Sequence, residues 1–516
     1  MELSEVFVGL LACLTFLLTM WVRHKFRYWS RFKVPHAKAS ILSGNLWDFI
    51  TMRTNFGYNL KAIYDDEEFQ NEAAVGVYGV YTPGLLIRHP ELIKTVFIKD
   101  FEKFGNRSLQ CDPHSDPLGH KLLIMAPYGQ WKKLRPQLSP TFTSGKLRQM
   151  YPLLQTVGQG LEDYLQKKGD KFVLECKHFA AQFTTDSIAT TILGIQSNAL
   201  EKSNDPIFLE ALRISNFSYR RALSFFFLLF MPHLSGLVGA KPFFKQTYAF
   251  FKVFVRQVVK DRETSGLKRN DLVDLLVSLK KEAAAAGEDE SLTMENLVGH
   301  SLMLVAAGNE TSSTVIACAL YELALHPNIQ ERLRHEILET VLEGEGQISY
   351  DRLNEMEYLR MVVDEILRKY PVLPLLDRRY MAADKKTGYS LKPYYDYEIP
   401  HGMPVYISTY ALHYDQKYWP NPTQFDPERF SAENRKTINP SVYLPFGNGP
   451  RNCVGARLGQ LQVKVALVHI LKNHEIRVCK QTNMNPHFDP KAFTLQIAGG
   501  IHLELLRDNM CNKAFK

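Results

Sequence analysis

A chain of 516 residues, 45% hydrophobic and 22% charged, has the material for a sizeable packed core and is neither disordered nor fibrous; length alone suggests about three domains. The net charge of +8 is spread along the chain, without the basic stripe and interleaved aromatics of a nucleic-acid binder. The seven cysteines (Cys13, Cys111, Cys176, Cys318, Cys453, Cys479, Cys511) are scattered and odd in number with no Cys-x-x-Cys, which argues for a reducing compartment and against a disulfide framework.

The first element is an uncharged run from Val6 to Val22. As a helix it spans roughly 26 Å, close to the core of an endoplasmic reticulum bilayer at about 27 Å. Arg23, Lys25, Arg27, Arg31 and Lys33 follow it, and Glu2 and Glu5 precede it. Positive charge stays cytosolic, so the N-terminus is read as lumenal and the bulk of the chain as cytosolic. Trp21, Tyr28 and Trp29 fit an interfacial belt. A cleaved signal peptide would want a basic leading segment and a small-residue cleavage site, and neither is present. Residues 1–33 are therefore expected to be a membrane anchor with its basic flank, and 34–516 the body of the protein.

Ala73 to Arg88 reads as a β-hairpin broken at Pro83-Gly84, after which Pro90 opens a helix. Trp131 and Arg135 share one face of a helix expected to end before Pro136. The pair is either a surface cation–π contact or a carboxylate clamp made of an indole N–H and a guanidinium. Ser203 to Glu263 is rich in aromatics (Phe225, Phe226, Phe227, Phe243, Phe244) around an apolar stretch, Leu228 to Gly239. On residue type alone this is a pair of core helices and a loop. Gly266–Asn270 and Glu282–Glu290, the latter with the alanine run Ala283–Ala286, read as surface linkers.

Thr293 to about Leu325 is the longest helical segment, roughly 50 Å if unbroken, with Thr293 as cap, Glu295 in the first turn and Pro327 beyond the end. Its apolar middle, Leu302–Ala307, gives way to Gly308-Asn309-Glu310-Thr311-Ser312. A glycine and polar residues deep in an apolar helix are locally inconsistent, and such places are often functional. Glycine loosens the helix, and the Thr311 hydroxyl can engage the backbone or a bound water. The alternative is a kink beside a solvated Glu310. Asn309-Glu310-Thr311 also fits a glycosylation sequon, which an apolar helix disfavours. Glu365 and Arg368 form an i, i+3 pair that in isolation is an ordinary surface contact. Tyr394–Ile407 is a second β region, and Phe493–Leu506, split by Gly499-Gly500, reads as a C-terminal hairpin. The fold class is mainly α with a small β component.

The stretch Pro445–Gly455 holds one cysteine in a loop of glycines and prolines, and the apolar run from Ala456 to about Leu471 reads as a buried helix. Cys453 at the start of that helix is biased toward thiolate by the free N–H groups. It is a core cysteine, a zinc ligand without nearby partners, or a thiolate aimed at a cofactor metal. The glycines do not follow the spacing of a dinucleotide loop, and Pro450 interrupts them.

Phe446, Gly449, Arg451, Cys453 and Gly455 resemble the F-x-x-G-x-R-x-C-x-G haem-binding signature of the cytochrome P-450 family. Ala307, Gly308, Glu310 and Thr311 resemble the family's Ala/Gly-Gly-x-Glu/Asp-Thr pattern, with Asn309 where many animal members carry an aromatic. Glu365 and Arg368 resemble its E-x-x-R pair, and Pro427-Glu428-Arg429-Phe430 its P-E-R-F segment. The likeness covers nearly the whole chain. It is closest to insect microsomal, xenobiotic-metabolising members through Trp131–Gly145 and Leu359–Arg378, although Pro35 alone stands for their proline-rich hinge.

The resemblance implies a haem-thiolate monooxygenase with the cytochrome P-450 fold and one N-terminal transmembrane helix. Cys453 would be the axial ligand of haem b, with Phe446 and Gly449 shaping its loop. Trp131, Arg135, Arg378 and Arg451 would hold the propionates. Thr311 and Glu310 would deliver protons to bound dioxygen, and Glu365, Arg368 and Arg429 would brace the region beneath Cys453. One oxygen atom would enter a lipophilic substrate, with electrons from NADPH through a separate reductase (and cytochrome b5 as a second donor) docking near Lys132, Lys133, Arg435 and Lys436. Phe104, Leu122, Ile124, Ala306, Ala307, Val372, Leu375 and Phe493 would wall the pocket, and the Leu228–Gly239 loop would dip into the membrane. The place would be the endoplasmic reticulum membrane. Alternatives are an endogenous steroid or terpenoid substrate, an oxygen-independent haem-thiolate isomerase, and a non-catalytic haem sensor; the intact Glu310-Thr311 pair counts against the last two.

Overall fold

The computed structural model describes residues 3–514 except 270, 286, 288 and 289. It opens with helix α1 (Leu3–Phe26), longer at both ends than the uncharged run, because lysine and arginine continue a helix readily. Glu5–Phe26 has a mean hydropathy of 2.1, is long and apolar enough to cross a membrane, and is only 6% buried. Trp21 is exposed, as an interfacial residue should be. Trp29 is not: it is fully buried, and its indole N–H donates to the Val77 carbonyl at 3.1 Å. The basic flank and the body thus share a packed surface.

Strands β1 (Ala74–Gly79) and β2 (Thr82–Ile87) form the expected hairpin, with Ala74 opposite Ile87. Its turn is Val80-Tyr81, not Pro83-Gly84, which lie inside β2 opposite Tyr78 and Val77. Val80 adopts φ 60, so the chain reverses in two residues. Helix α2 (Tyr128–Leu138) runs through Pro136 instead of ending before it. The Lys132 carbonyl that proline leaves unbonded belongs to an exposed residue, on a side of the helix open to solvent. Helix α3 (Ser144–Lys167) leads to β3 (Lys171–Glu175) and α4 (Cys176–Thr191), whose Glu175 cap accepts from the Lys177 and His178 N–H groups.

The aromatic segment forms α5 (Pro206–Ser215), α6 (Tyr219–Phe230) and α7 (Lys245–Ser265). Gly266 to Arg269 is irregular, as a linker should be, and Asn270 lies outside the described residues. The second expected linker is partly helical: a helix covers Leu272–Ala285, so Glu282–Ala285 belong to it, and Ala286 lies outside the described residues. Helix α8 (Glu290–Leu325) begins ahead of Thr293, which therefore sits in its first turn rather than capping it. Met294–Leu325 is 78% buried and passes through the core.

Helix α9 (Glu357–Lys369) precedes β4 (Leu375–Arg379), the short ribbon β5 (Tyr389–Ser390) and β6 (Glu398–Ile399), and β7 (Pro404–Ser408). One sheet has the order β1-β2-β7-β4, with β7 parallel to β2 and antiparallel to β4. Helix α10 (Ala456–Leu471) follows the cysteine loop, then come β8 (His474–Val478) and β9 (His502–Arg507). The C-terminal hairpin does not form. β9 is instead the central strand of a sheet ordered β3-β9-β8, and residues 493–498 bond elsewhere, Leu495 N–H to the Val372 carbonyl and Ala498 N–H to that of His487, both at 2.9 Å.

Candidate active site

The Cys453 loop is shaped by its backbone. Gly449 has φ 71, and a Cβ there would stand 1.8 Å from the Phe97 carbonyl oxygen, so no side chain fits. The Cys453 N–H donates to the Phe446 carbonyl at 2.9 Å and closes the loop. Regular helix begins only at Ala456, so the cysteine precedes it. Burial pushes the Cys453 thiol up, against the pull of the Gly455 N–H and of Arg135 and Arg107. The low pKa expected from a helix start is therefore corrected: desolvation outweighs the N–H groups.

Yet the Cys453 side chain is accessible. A group both desolvated and accessible faces a hollow inside the molecule. Helix α8 shows the opposite wall. Ala307 is exposed and Ala306, Gly308 and Thr311 are half-buried, although the flanking Leu304, Val305, Asn309 and Glu310 are buried. The start of α10 touches α8 just beyond this point, where Ser312 donates to Gln462 at 2.8 Å. The cysteine loop and the open face of α8 therefore border one hollow.

Beside it lie three cations. Arg378 and Arg451 are 2% and 4% exposed, and Arg107 is half-buried with its Nε enclosed. Arg451 donates to the Ala126 carbonyl and lies over the buried Trp131 ring at 5.1 Å, but its Nε and Nη1 have no partner. Arg378 donates to the Asp377 carbonyl at 2.8 Å and lies over Phe97 at 4.6 Å, with its Nε unpartnered. Burial, then the charge of Arg107, pulls Arg378 down to about 9 and Arg451 to about 8. Among the described residues Asp377 is the one carboxylate acting on this group, with Cys453 acting on Arg107 besides, so the guanidinium charge outnumbers the carboxylate charge. A buried unpaired charge is costly. The arrangement fits a group carrying two carboxylates, as a haem does.

The expected Trp131 cation–π pair thus exists, but with Arg451. Arg135 spends its Nη1 on the Asn452 carbonyl at 2.6 Å, its Nη2 on the Asn452 Oδ1 at 2.8 Å and its Nε on Ser139 at 3.1 Å. It ties α2 to the cysteine loop with three of its five N–H groups. Sequence reading missed Arg107. It stands in no motif, and a bridge between Asn106 and Arg379 brings it to Arg378.

On α8, the Thr311 hydroxyl donates to the Ala307 carbonyl at 2.7 Å. Gly308 is not a kink, because the helix is continuous; a Cβ there would come within 2.9 Å of Ile188 on α4, so glycine sets the approach of the two helices. Asn309 faces α4 rather than the hollow. Its Nδ2 donates to the Ala181 carbonyl, Thr184 Oγ1 and Thr185 Oγ1 at 3.0, 3.1 and 2.7 Å. Glu310 is 6% exposed and not solvated: its Oε1 pairs with Lys177 at 3.1 Å and accepts from Gln496 at 2.6 Å and Thr314 at 3.1 Å, while its Oε2 has no partner.

Glu365 and Arg368 are fully buried, joined by two bonds of 2.7 and 2.8 Å, with Arg429 3.5 Å from Glu365. Arg368 also donates to the His413 carbonyl at 2.8 Å. His413, another residue missed, accepts from the Leu444 N–H at 2.9 Å and bonds the Arg368 carbonyl at 3.0 Å. The brace therefore reaches the residue before Pro445.

Of the expected pocket wall, Ile124, Ala306, Ala307 and Phe493 keep open surface, and Phe493 stacks on Phe225 at 5.1 Å. Val372 and Leu375 are 8% and 6% exposed. Phe104 and Leu122 are corrections. Phe104 is fully buried between Tyr389 and Tyr380, and Leu122 is 1% exposed, so neither has surface to offer. Among the described residues no three His, Cys, Asp or Glu converge to hold a metal ion, which leaves the zinc reading without support.

An accessible cysteine ahead of α10, an open face on α8 and buried arginines in excess of their carboxylates fit a haem held through a thiolate. Comparison with known proteins gives the family. A family model described as Cytochrome P450 matches residues 56–503. The chain is 41% identical to "Probable cytochrome P450 6w1" of Drosophila melanogaster over 92% of each chain. It is 36% identical to "Cytochrome P450 6j1" of Blattella germanica over 98% of this chain and 97% of that one. The chain belongs to the cytochrome P450 family of haem-thiolate monooxygenases.

Proposed function

We propose that the protein is a membrane-anchored monooxygenase that holds haem b through Cys453 and oxidises lipophilic xenobiotics, drawing electrons from NADPH through a separate reductase, with cytochrome b5 as a second donor. The observation that carries this reading is the excess of buried guanidinium charge beside an accessible, desolvated cysteine. Bound through the thiolate, haem supplies the activation of dioxygen and the insertion of one of its atoms.

The chain's own residues do the rest. Arg107, Arg378 and Arg451, with Trp131 beneath Arg451, hold and neutralise two carboxylates. The Gly455 N–H and the nearby Arg135 steady the negative charge on sulfur. Thr311 keeps its proton on the Ala307 carbonyl, so its oxygen presents lone pairs to the hollow and holds a water as acceptor. Behind the helix, Glu310 Oε2 is free to take part in proton delivery, with Lys177 holding the other oxygen. Ile124, Ala306, Ala307 and Phe493 keep bulk water out.

The exposed Lys132, Lys133, Arg435 and Lys436 are the docking face for an acidic electron donor. The basic residues after α1 favour an endoplasmic reticulum anchor at 1–33 with the haem-binding catalytic domain, 34–516, in the cytosol. Likeness to insect microsomal proteins and the apolar wall support the xenobiotic role. Purified protein with reductase, NADPH and a lipophilic library should couple NADPH consumption to hydroxylated or epoxidised product. Haem incorporation without any oxygenated product across the library would overturn the reading.

A further inference from the structure

Arg221 on α6 is a buried cation that the machinery above does not use. It is 5% exposed, and its Nη1 donates to the Arg213 carbonyl at 3.1 Å. Its Nε is buried without a partner. Among the described residues no carboxylate comes within ion-pair distance of it. Of the acids nearby, Glu210 holds Arg213 and Thr247, and Glu310 holds Lys177 through Oε1, keeps Oε2 without a partner, and acts on Arg221 through its field alone. Four phenylalanine rings surround the guanidinium instead, Phe217 at 4.9 Å, Phe225 at 5.7 Å, Phe244 at 5.9 Å and Phe243 at 6.0 Å. Aromatic faces soften the cost of burying a cation but supply no acceptor for its N–H groups.

The position of this cation relates it to the hollow. Arg221 and Phe225 are one helical turn apart and share a face of α6. Phe225 stacks at 5.1 Å on Phe493, a residue with open surface toward the pocket. Gln496, three residues on in the same segment, donates to Glu310 on α8. A flat or extended apolar molecule lying along Phe225 and Phe493 has the Arg221 guanidinium at its end.

We propose that Arg221 receives a carboxylate at one end of the substrate, so that the lipophilic substrates of this site include amphipathic carboxylic acids. This rests on the monooxygenase reading and adds the substrate class to it. The pairing is electrostatic and hydrogen-bonded: the unpartnered Nε and a free Nη proton donate to the two carboxylate oxygens. The phenylalanines exclude water and strengthen that pair.

Dodecanoate and methyl dodecanoate are the probes, titrated into the haem-loaded protein near neutral pH and followed by the shift of the haem absorption band. Wild type should bind the acid at least about tenfold more tightly than the ester, the effect of one charge-assisted pair. Arg221→Gln should lose that preference while binding the ester within about threefold of wild type, and Arg221→Lys should recover part of it. If Arg221 serves only to hold the end of α5 through the Arg213 carbonyl, Arg221→Gln weakens acid and ester alike, and the proposal fails. It fails equally if wild type binds the ester but does not prefer the acid, a comparison that needs no variant. A protein whose reduced carbon monoxide complex lacks the thiolate-type absorption would sink the underlying monooxygenase reading instead, which separates the two.

Discussion

Arg107, Arg378 and Arg451 show how a binding residue differs from a stabilising one. Each guanidinium buries N–H groups with no partner. Replacing a buried charge by an apolar side chain of similar volume is often neutral or stabilising by about 1–4 kcal/mol when nothing is bound. Arg378→Met should therefore raise the melting temperature of the apoprotein while lowering its haem-to-protein ratio after reconstitution. A fall in both would mean that Arg378 holds the fold and not the cofactor. Cys453→His should abolish the thiolate-type absorption of the reduced carbon monoxide complex; its persistence would show that another residue is the axial ligand. Cys453 and Arg451 drew attention in the sequence because they stand in one short run of fixed spacing, and Arg378 through the family resemblance. Arg107 was not, since only the pairing of Asn106 with Arg379 brings it there. The tie from Arg135 to the cysteine loop was hidden for a related reason: helical spacing puts it beside Trp131, but its partner Asn452 is 317 residues away.

Elements in this protein are held at their crossings by polar groups. Asn309 makes three bonds into α4 from the middle of α8. Asn309→Ala strips partners from a buried site and should cost about 1–3 kcal/mol. Asn309→Phe should also destabilise by about 1–3 kcal/mol, because the ring must displace Thr184 and Thr185 in a packed contact. Thermal unfolding of both variants checks this; a tolerated phenylalanine would show that α4 has room to shift. Glu365→Gln breaks a pair that is fully buried on both sides, and loss of one partner of such a pair costs about 3–5 kcal/mol. Little soluble holoprotein should accumulate on expression. Periodicity identified α8, α10 and the first hairpin, where pattern is local. It failed at Phe493–Leu506, because β9 takes its partners from His474–Val478 and Lys171–Glu175, and no property of one strand names a distant neighbour.

At the scale of the molecule, the cysteine loop is held by parts far apart in the chain, and His413 is one of the joints. It is fully buried, stacks on Tyr443 at 5.5 Å, and links the Arg368 carbonyl at the end of α9 to the Leu444 N–H ahead of the cysteine loop. Nε2 accepts from Leu444, so the ring is neutral with its proton on Nδ1. Burial, then the charge of Arg368, pulls its pKa down from 6.5 to about 3. The sign follows from proton counting. Between those two values the unfolded chain binds a proton that the folded chain refuses, so stability rises with pH there. The contribution is complete above pH 6.5 and is lost as pH falls toward 3, by about 1.4 kcal/mol per pH unit for this one group. Buried His300, pulled down by desolvation to about 4, adds a parallel loss over the upper part of that range. Acid should thus loosen the joint beneath the cysteine loop, and release of haem should accompany unfolding between about pH 6 and 4. His413→Gln keeps a donor and an acceptor but cannot titrate. It should be less stable than wild type at pH 7.5 and show a shallower decline of melting temperature with acidification. A decline as steep as that of wild type would remove His413 from the account and leave the acid sensitivity to His300 and the carboxylates.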